Sequence, residues 1–105
     1  KEEINVTAQL FNIGNYTFKP ESRELNFKGD SRILTTLESR LLLHFLQSKN
    51  MTIDKEIAMQ TVWQDDHSIR ERSLTVYVSK LRQYLLQDSK VSILNVHGQG
   101  YRLVV

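Results

Sequence analysis

The sequence predicts an α+β domain with an N-terminal antiparallel sheet, a three-helix core and a C-terminal β-hairpin. Two observations carry that reading. Apolar spacing is strand-like from Gln9 to Thr35 and then helical over three successive segments. The chain closes on "SILNVHGQGYRLVV", two β-prone runs around a pair of glycines.

Each element follows in order. Residues 1–8, "KEEINVTA", are polar and aperiodic and read as a linker remnant, and with no methionine at position 1 the chain reads as a piece of something longer. The domain proper is then 9–105. "QLFNIGNYTF", "RELNFKG" and "RILT" are short runs rich in aromatic and branched residues. The turns "KPES" and "KGDS" separate them, the second with Gly29 and Asp30 taking the required backbone angles. "TTLE" forms a capping box for the first helix: Thr35 accepts from the Glu38 amide while Glu38 reaches back. Leu37, Leu41, Leu42, Phe45 and Leu46 make its apolar stripe, and Asn50 is a left-handed terminator. Asp54 caps a second helix, "KEIAMQTVW", that turns Ala58, Val62 and Trp63 inward. After the polar loop "QDDHSIRE", a third helix runs from Arg72 to Gln87, and "DSK" leads into the hairpin.

Composition narrows the function classes. The 105 residues form one domain with 40% hydrophobic and 25% charged residues. There is no cysteine, so disulfides and thiolate sites are excluded, which fits a reducing, cytoplasmic setting. No apolar run approaches the ~18 residues of a membrane span. The net charge of +2 is unevenly placed. Residues 1–67 carry eight Lys/Arg and ten Asp/Glu, whereas 68–105 carry six Lys/Arg and two acids, a local balance of +4 that suits a polyanion.

The third helix concentrates that signal. At 100° per residue, Leu74, Val78, Leu81 and Leu85 fall within about 60° of arc and point inward. Arg72, Val76, Ser79, Lys80 and Gln83 lie opposite, with no acid among them. Thr75 and Arg82 flank this face on one side, Tyr77 and Tyr84 on the other. Cations engage phosphate or guanine, glutamine pairs with adenine, and a valine meets a thymine methyl. A merely solvated face would gain nothing from Val76. In the hairpin, Gly98 or Gly100 supplies positive φ, and Tyr101, Leu103 and Val105 point to one side with Arg102 on the other. Arg102 is expected to aim the same way as the third helix's outer face and to enter a narrow minor groove.

These elements together resemble the winged-helix DNA-binding domain of OmpR/PhoB-type response regulators. The residues that carry the resemblance are "LTTLESRLLLHFL", "AMQTVW", "RSLTVYVSKLRQYL" and, as the wing, "VHGQGYRL", over residues 9–105. It implies a winged helix-turn-helix fold with a four-stranded N-terminal platform and a double-stranded DNA-binding effector that regulates transcription, most often from direct-repeat sites. It also implies an N-terminal receiver domain phosphorylated by a sensor kinase, dimerisation in the full-length protein or on DNA, and no cofactor. The implied DNA-contacting set is Arg72, Thr75, Val76, Tyr77, Ser79, Lys80, Arg82, Gln83, Gly98, Gly100 and Arg102. The loop before the third helix contacts RNA polymerase in some members, which points here to Asp65, Asp66 and Glu71. Three positions depart from the pattern: Thr75 where an acid is common, Ser79 where a base is common, and His97 where the tip carries arginine. Each lost phosphate contact flattens a log–log salt dependence by about one.

Other chemistry is weakly supported. His44, His67 and His97 lie on separate elements without ligand spacing, so no metal site is expected. Asp65, Asp66 and His67 form a solvated turn more readily than an acid–base pair, and no nucleophile elbow or phosphate-cradling loop is present, so no enzyme is expected. The competing reading is a winged-helix protein-interaction module, which lacks the steep salt dependence of DNA binding.

Overall fold

The computed structural model describes residues 9–64, 66, 68 and 70–105; the linker reading of 1–8 and the expectations for Asp65 and His67 fall outside them. Four short strands open the chain: β1 (Phe11–Ile13), β2 (Tyr16–Lys19), β3 (Glu24–Phe27) and β4 (Asp30–Ile33), paired antiparallel in that order. The run "QLFNIGNYTF" is thus two strands, because Gly14, at φ 60°, lets Ile13 pair with Tyr16 across a two-residue turn. The β3–β4 turn is carried by Lys28 and Gly29, at φ 48° and 92°, and Asp30 already belongs to β4, two residues earlier than expected. One face of this sheet buries Ile13, Tyr16, Phe18 and Leu25.

Helix α1 (Thr36–Gln47) starts at the predicted capping box, with the Glu38 amide donating to Thr35 Oγ1 at 3.2 Å and the Thr35 amide to Glu38 Oε1 at 2.9 Å. Asn50 adopts the expected left-handed φ, 63°, but the helix is capped by Ser48, whose amide donates to the Phe45 carbonyl at 3.1 Å, and the Asn50 amide donates to the Leu103 carbonyl at 2.8 Å. The Asp54 carboxylate caps α2 (Lys55–Trp63), accepting from the Ile57 amide at 3.1 Å. Helix α3 spans Glu71–Tyr84, starting one residue before and ending three residues before the expected bounds, because the chain turns at Leu85 and Gln87 donates its amide to the Tyr16 hydroxyl at 3.0 Å. The hairpin is β6 (Ser92–Val96) and β7 (Gly100–Val104). The sequence did not advertise β5 (Thr52–Asp54), which pairs with β7 and makes the second sheet three-stranded, ordered β5-β7-β6.

This third strand explains Gly100. It pairs with Asp54 and Val96, is buried, and a Cβ there would collide with the Ile53 carbonyl. Positive φ at the tip belongs to Gly98 alone of the two (75°), in open space. The two sheets are joined through Asp88, a buried carboxylate that accepts the Asn15 amide at 2.8 Å and the Lys90 amide at 3.0 Å. Those backbone donors hold its pKa below the ordinary 3.8.

Gly100→Ala is therefore expected to destabilise by about 1–3 kcal/mol or more through overpacking, beyond the roughly 1–2 kcal/mol of backbone strain at Gly98→Ala. Chemical denaturation of both variants checks this, and equal losses would contradict it. The pH dependence follows from linkage. A carboxyl whose folded pKa is depressed contributes stability above its ordinary value and loses it as pH falls through the folded one. His44, whose pKa burial pushes below 6.5, acts in the same direction at higher pH. Asp88→Asn should flatten the loss of thermal stability below pH 3.8 and leave the His44 portion intact. An unchanged acid limb would contradict the role given to Asp88.

Candidate nucleic-acid interface

Helix α3 owes its orientation to one-sided burial. Leu74, Val78 and Leu81 are 0% exposed and Leu85 is 1%, and they join α1 and the second sheet in a single core. Each such side chain gains about 1.5–3 kcal/mol from burial, so rotating the helix out of this setting is prohibitive. The opposite face then stands in solvent. Arg72, Val76, Ser79, Lys80 and Gln83 are all exposed, Val76 to 46%, and four of them border a shallow groove with Thr75 and Tyr84.

The flanking residues have structural duties. The Thr75 hydroxyl, 3.3 Å from the Glu71 carbonyl, lies 3.4 Å from the Tyr101 hydroxyl. Tyr77 packs edge-to-face on Trp63, ring centroids 5.5 Å apart, so this helix residue belongs mainly to the α2–α3 seam. Arg82 donates from Nε to the Ile93 carbonyl at 2.9 Å and from Nη2 to Asn95 Oδ1 at 2.8 Å, tying α3 to β6. At the start of α3, Glu71 pairs with Lys55 of α2 at 2.8 Å, and this hydrogen bond raises the Lys55 pKa above its ordinary value. Lys55 and Glu71 line a small cleft against His97, Gly98 and Tyr101 of the hairpin.

Arg102 sits opposite Tyr101 and Leu103 on β7, as alternation put it, with a partner on β5. Strand alternation puts Tyr101 and Leu103 on the buried face of the second sheet, and α3 docks on that face: Thr75 meets Tyr101, and Arg82 meets Asn95, the register partner of Tyr101. Arg102 leaves the reverse face. Its Nε and Nη2 donate to Thr52 Oγ1 of β5 at 3.1 and 2.7 Å. It is exposed on the face of the second sheet that also carries Thr52 and Leu94, its register partners on β5 and β6. His97 and the open Gly98 tip share a cleft with Glu71 at α3's start. Sequence reasoning passed over Lys55, whose closeness to α3 depends on a tertiary pairing with Glu71 that carries no local signal.

In the preceding loop, Asp66 accepts from the Ser68 amide and hydroxyl at 3.0 and 2.6 Å. His44 is half-buried, with Nε2 lacking a hydrogen-bond partner among the described residues. No described helix is long and apolar enough to cross a membrane.

Comparison with known proteins bears on this surface. Residues 29–103 match the family described as "Transcriptional regulatory protein, C terminal". The transcriptional regulatory protein RprY of Bacteroides fragilis is 35% identical over 100 residues, which cover 95% of this chain and 42% of that protein. The chain thus spans less than half the length of the curated relatives it matches. Among solved structures, the DNA-binding domain of Bacillus subtilis CssR superposes with a TM-score of 0.74 at 27% identity, covering 85% of this chain and 99% of that one. The DNA-binding domain of Escherichia coli CadC gives a TM-score of 0.80 at 23% identity over 90% of each chain, a likeness of fold.

Arg82→Gln removes a charged donor from the Ile93 carbonyl and is expected to cost about 1–3 kcal/mol of stability. Thermal unfolding checks it; an unmoved midpoint would show that the α3–β6 tie is dispensable.

Proposed function

This chain belongs to the transcriptional regulatory protein C-terminal family, with the OmpR/PhoB-type winged-helix fold, and from that premise we propose that it binds double-stranded DNA sequence-specifically to regulate transcription. The observation that carries the proposal is α3 itself: a helix locked by a buried stripe, presenting an exposed face with cations, an amide, a hydroxyl and a valine, and no acid. A helix of that kind fits the major groove, where base edges offer a full donor–acceptor code.

Roles divide along the helix. Lys80, Gln83 and Val76 read base edges; Arg72, Ser79 and Thr75 serve the flanking phosphates. Tyr77 and Arg82 position α3 through Trp63 and β6. At the wing, Gly98 permits close approach to the backbone, while Gly100 seats β7 against β5. Arg102 braces Thr52 and supports the wing rather than probing a groove beside α3.

The wider protein follows the same reading: the effector half of a cytoplasmic two-component response regulator, with a receiver domain phosphorylated by a sensor kinase. It dimerises in the full-length protein or on direct-repeat sites. Asp65 and Asp66 of the loop before α3, with Glu71 at the start of the helix, are the contacts for RNA polymerase. No cofactor or catalytic step is required for binding.

Selection from a random duplex pool tests the proposal, and enrichment of no sequence would reject it. On a selected site, Lys80→Ala is expected to cost about 1–3 kcal/mol there and much less on unrelated duplexes. An equal loss on all sequences would make Lys80 a phosphate contact. Arg102→Ala is expected to weaken binding little and without regard to A·T content beside the site. A loss confined to A·T-rich flanks would restore it to the minor groove.

A further inference from the structure

Arg32 lies outside the three-helix unit, on edge strand β4. It stands opposite Leu25, so its side chain leaves the face of the first sheet that packs on the helices. Its guanidinium sits 4.2 Å from the centroid of the Tyr84 ring, at the end of α3. That ring is itself fixed, because the Tyr84 hydroxyl donates to Glu38 Oε2 at 2.9 Å and Glu38 is buried in the α1 capping box. Between β3–β4 and the end of α3 runs a cleft of about 470 Å³, bordered by Arg32, Gln83, Tyr84 and Gln87. Gln83 and Tyr84 also border the groove on α3's exposed face, so the two depressions meet along that pair. Arg32 is exposed and forms no salt bridge with a carboxylate among the described residues, although Asp30 borders the same cleft.

We infer that Arg32 grips a DNA phosphate just beyond the C-terminal end of α3, extending the contact surface from the helix onto the first sheet. The inference rests on the reading of α3 as the groove-entering helix. The guanidinium is exposed above the Tyr84 ring, and its five N–H donors exceed what one tyrosine engages, which leaves a pair able to meet two phosphate oxygens. Because the ring beneath is anchored, the cation is held in place before the duplex arrives and loses little rotamer freedom on contact. A phosphate contact adds affinity and register without reading sequence.

The test compares the 105-residue chain with Arg32→Gln and Arg32→Lys on a selected and an unrelated duplex across a salt series, with thermal unfolding confirming that each variant folds. Arg32→Gln is expected to reduce the slope of log affinity against log salt by about one and to weaken low-salt binding several-fold on both duplexes. Arg32→Lys should recover the slope. An unchanged slope overturns the inference, as does a loss confined to the selected duplex, which would make Arg32 a positioning residue acting through Tyr84. If the unaltered chain shows no salt-dependent duplex binding, the DNA reading fails and Arg32 falls with it. A steep slope shared by the unaltered chain and Arg32→Gln removes this inference alone.

Discussion

The burial of Leu74, Val78, Leu81 and Leu85 along one side of α3 is the constraint from which the rest follows. Four residues at helical spacing, all essentially sealed from solvent, fix the rotation of the helix to within a fraction of a turn. The direction of Arg72, Val76, Ser79, Lys80 and Gln83 is a consequence of that rotation. Function on this surface is thus specified by packing on the other side of the helix, and a core substitution that lets α3 roll would disturb recognition without touching a contacting residue.

Rotation alone would leave the helix free to tilt, and polar ties remove that freedom. Arg82 holds the exposed flank to β6, Thr75 meets Tyr101, and Tyr84 reaches the buried Glu38 of α1. Beyond the helix, Gln87 and Asp88 engage the Tyr16 hydroxyl and the Asn15 amide of the first sheet. Nearly every one of these bonds involves a buried or charge-bearing partner, the class worth most per bond. The four-stranded platform is therefore mechanically continuous with α3, although it is distant from it in sequence.

Much of this was legible in the residues. The capping box at Thr35, the Asp54 cap, the left-handed Asn50 and the inward stripe of α3 are local patterns, and each stands where its spacing put it. What escaped reading was non-local. The strand Thr52–Asp54 is three residues long and exists because β7 pairs with it, so no periodicity could reveal it. Gly100 looked like a turn glycine because its neighbours are turn residues; its real constraint is the Ile53 backbone from 47 positions away. Alternation along β7 was read correctly for Arg102, but its tie to Thr52 escaped reading because β5 did. The value of Arg32 is likewise invisible until Tyr84 is found beneath it.

The most direct test is a map of amide and side-chain NMR shifts as a selected duplex is titrated into the 105-residue chain. The account predicts the largest changes along the solvent side of α3, from Arg72 to Gln83, continuing to His97–Gln99 at the wing tip. Changes centred instead on β1 and β2, with the solvent side of α3 unmoved at saturation, would contradict it.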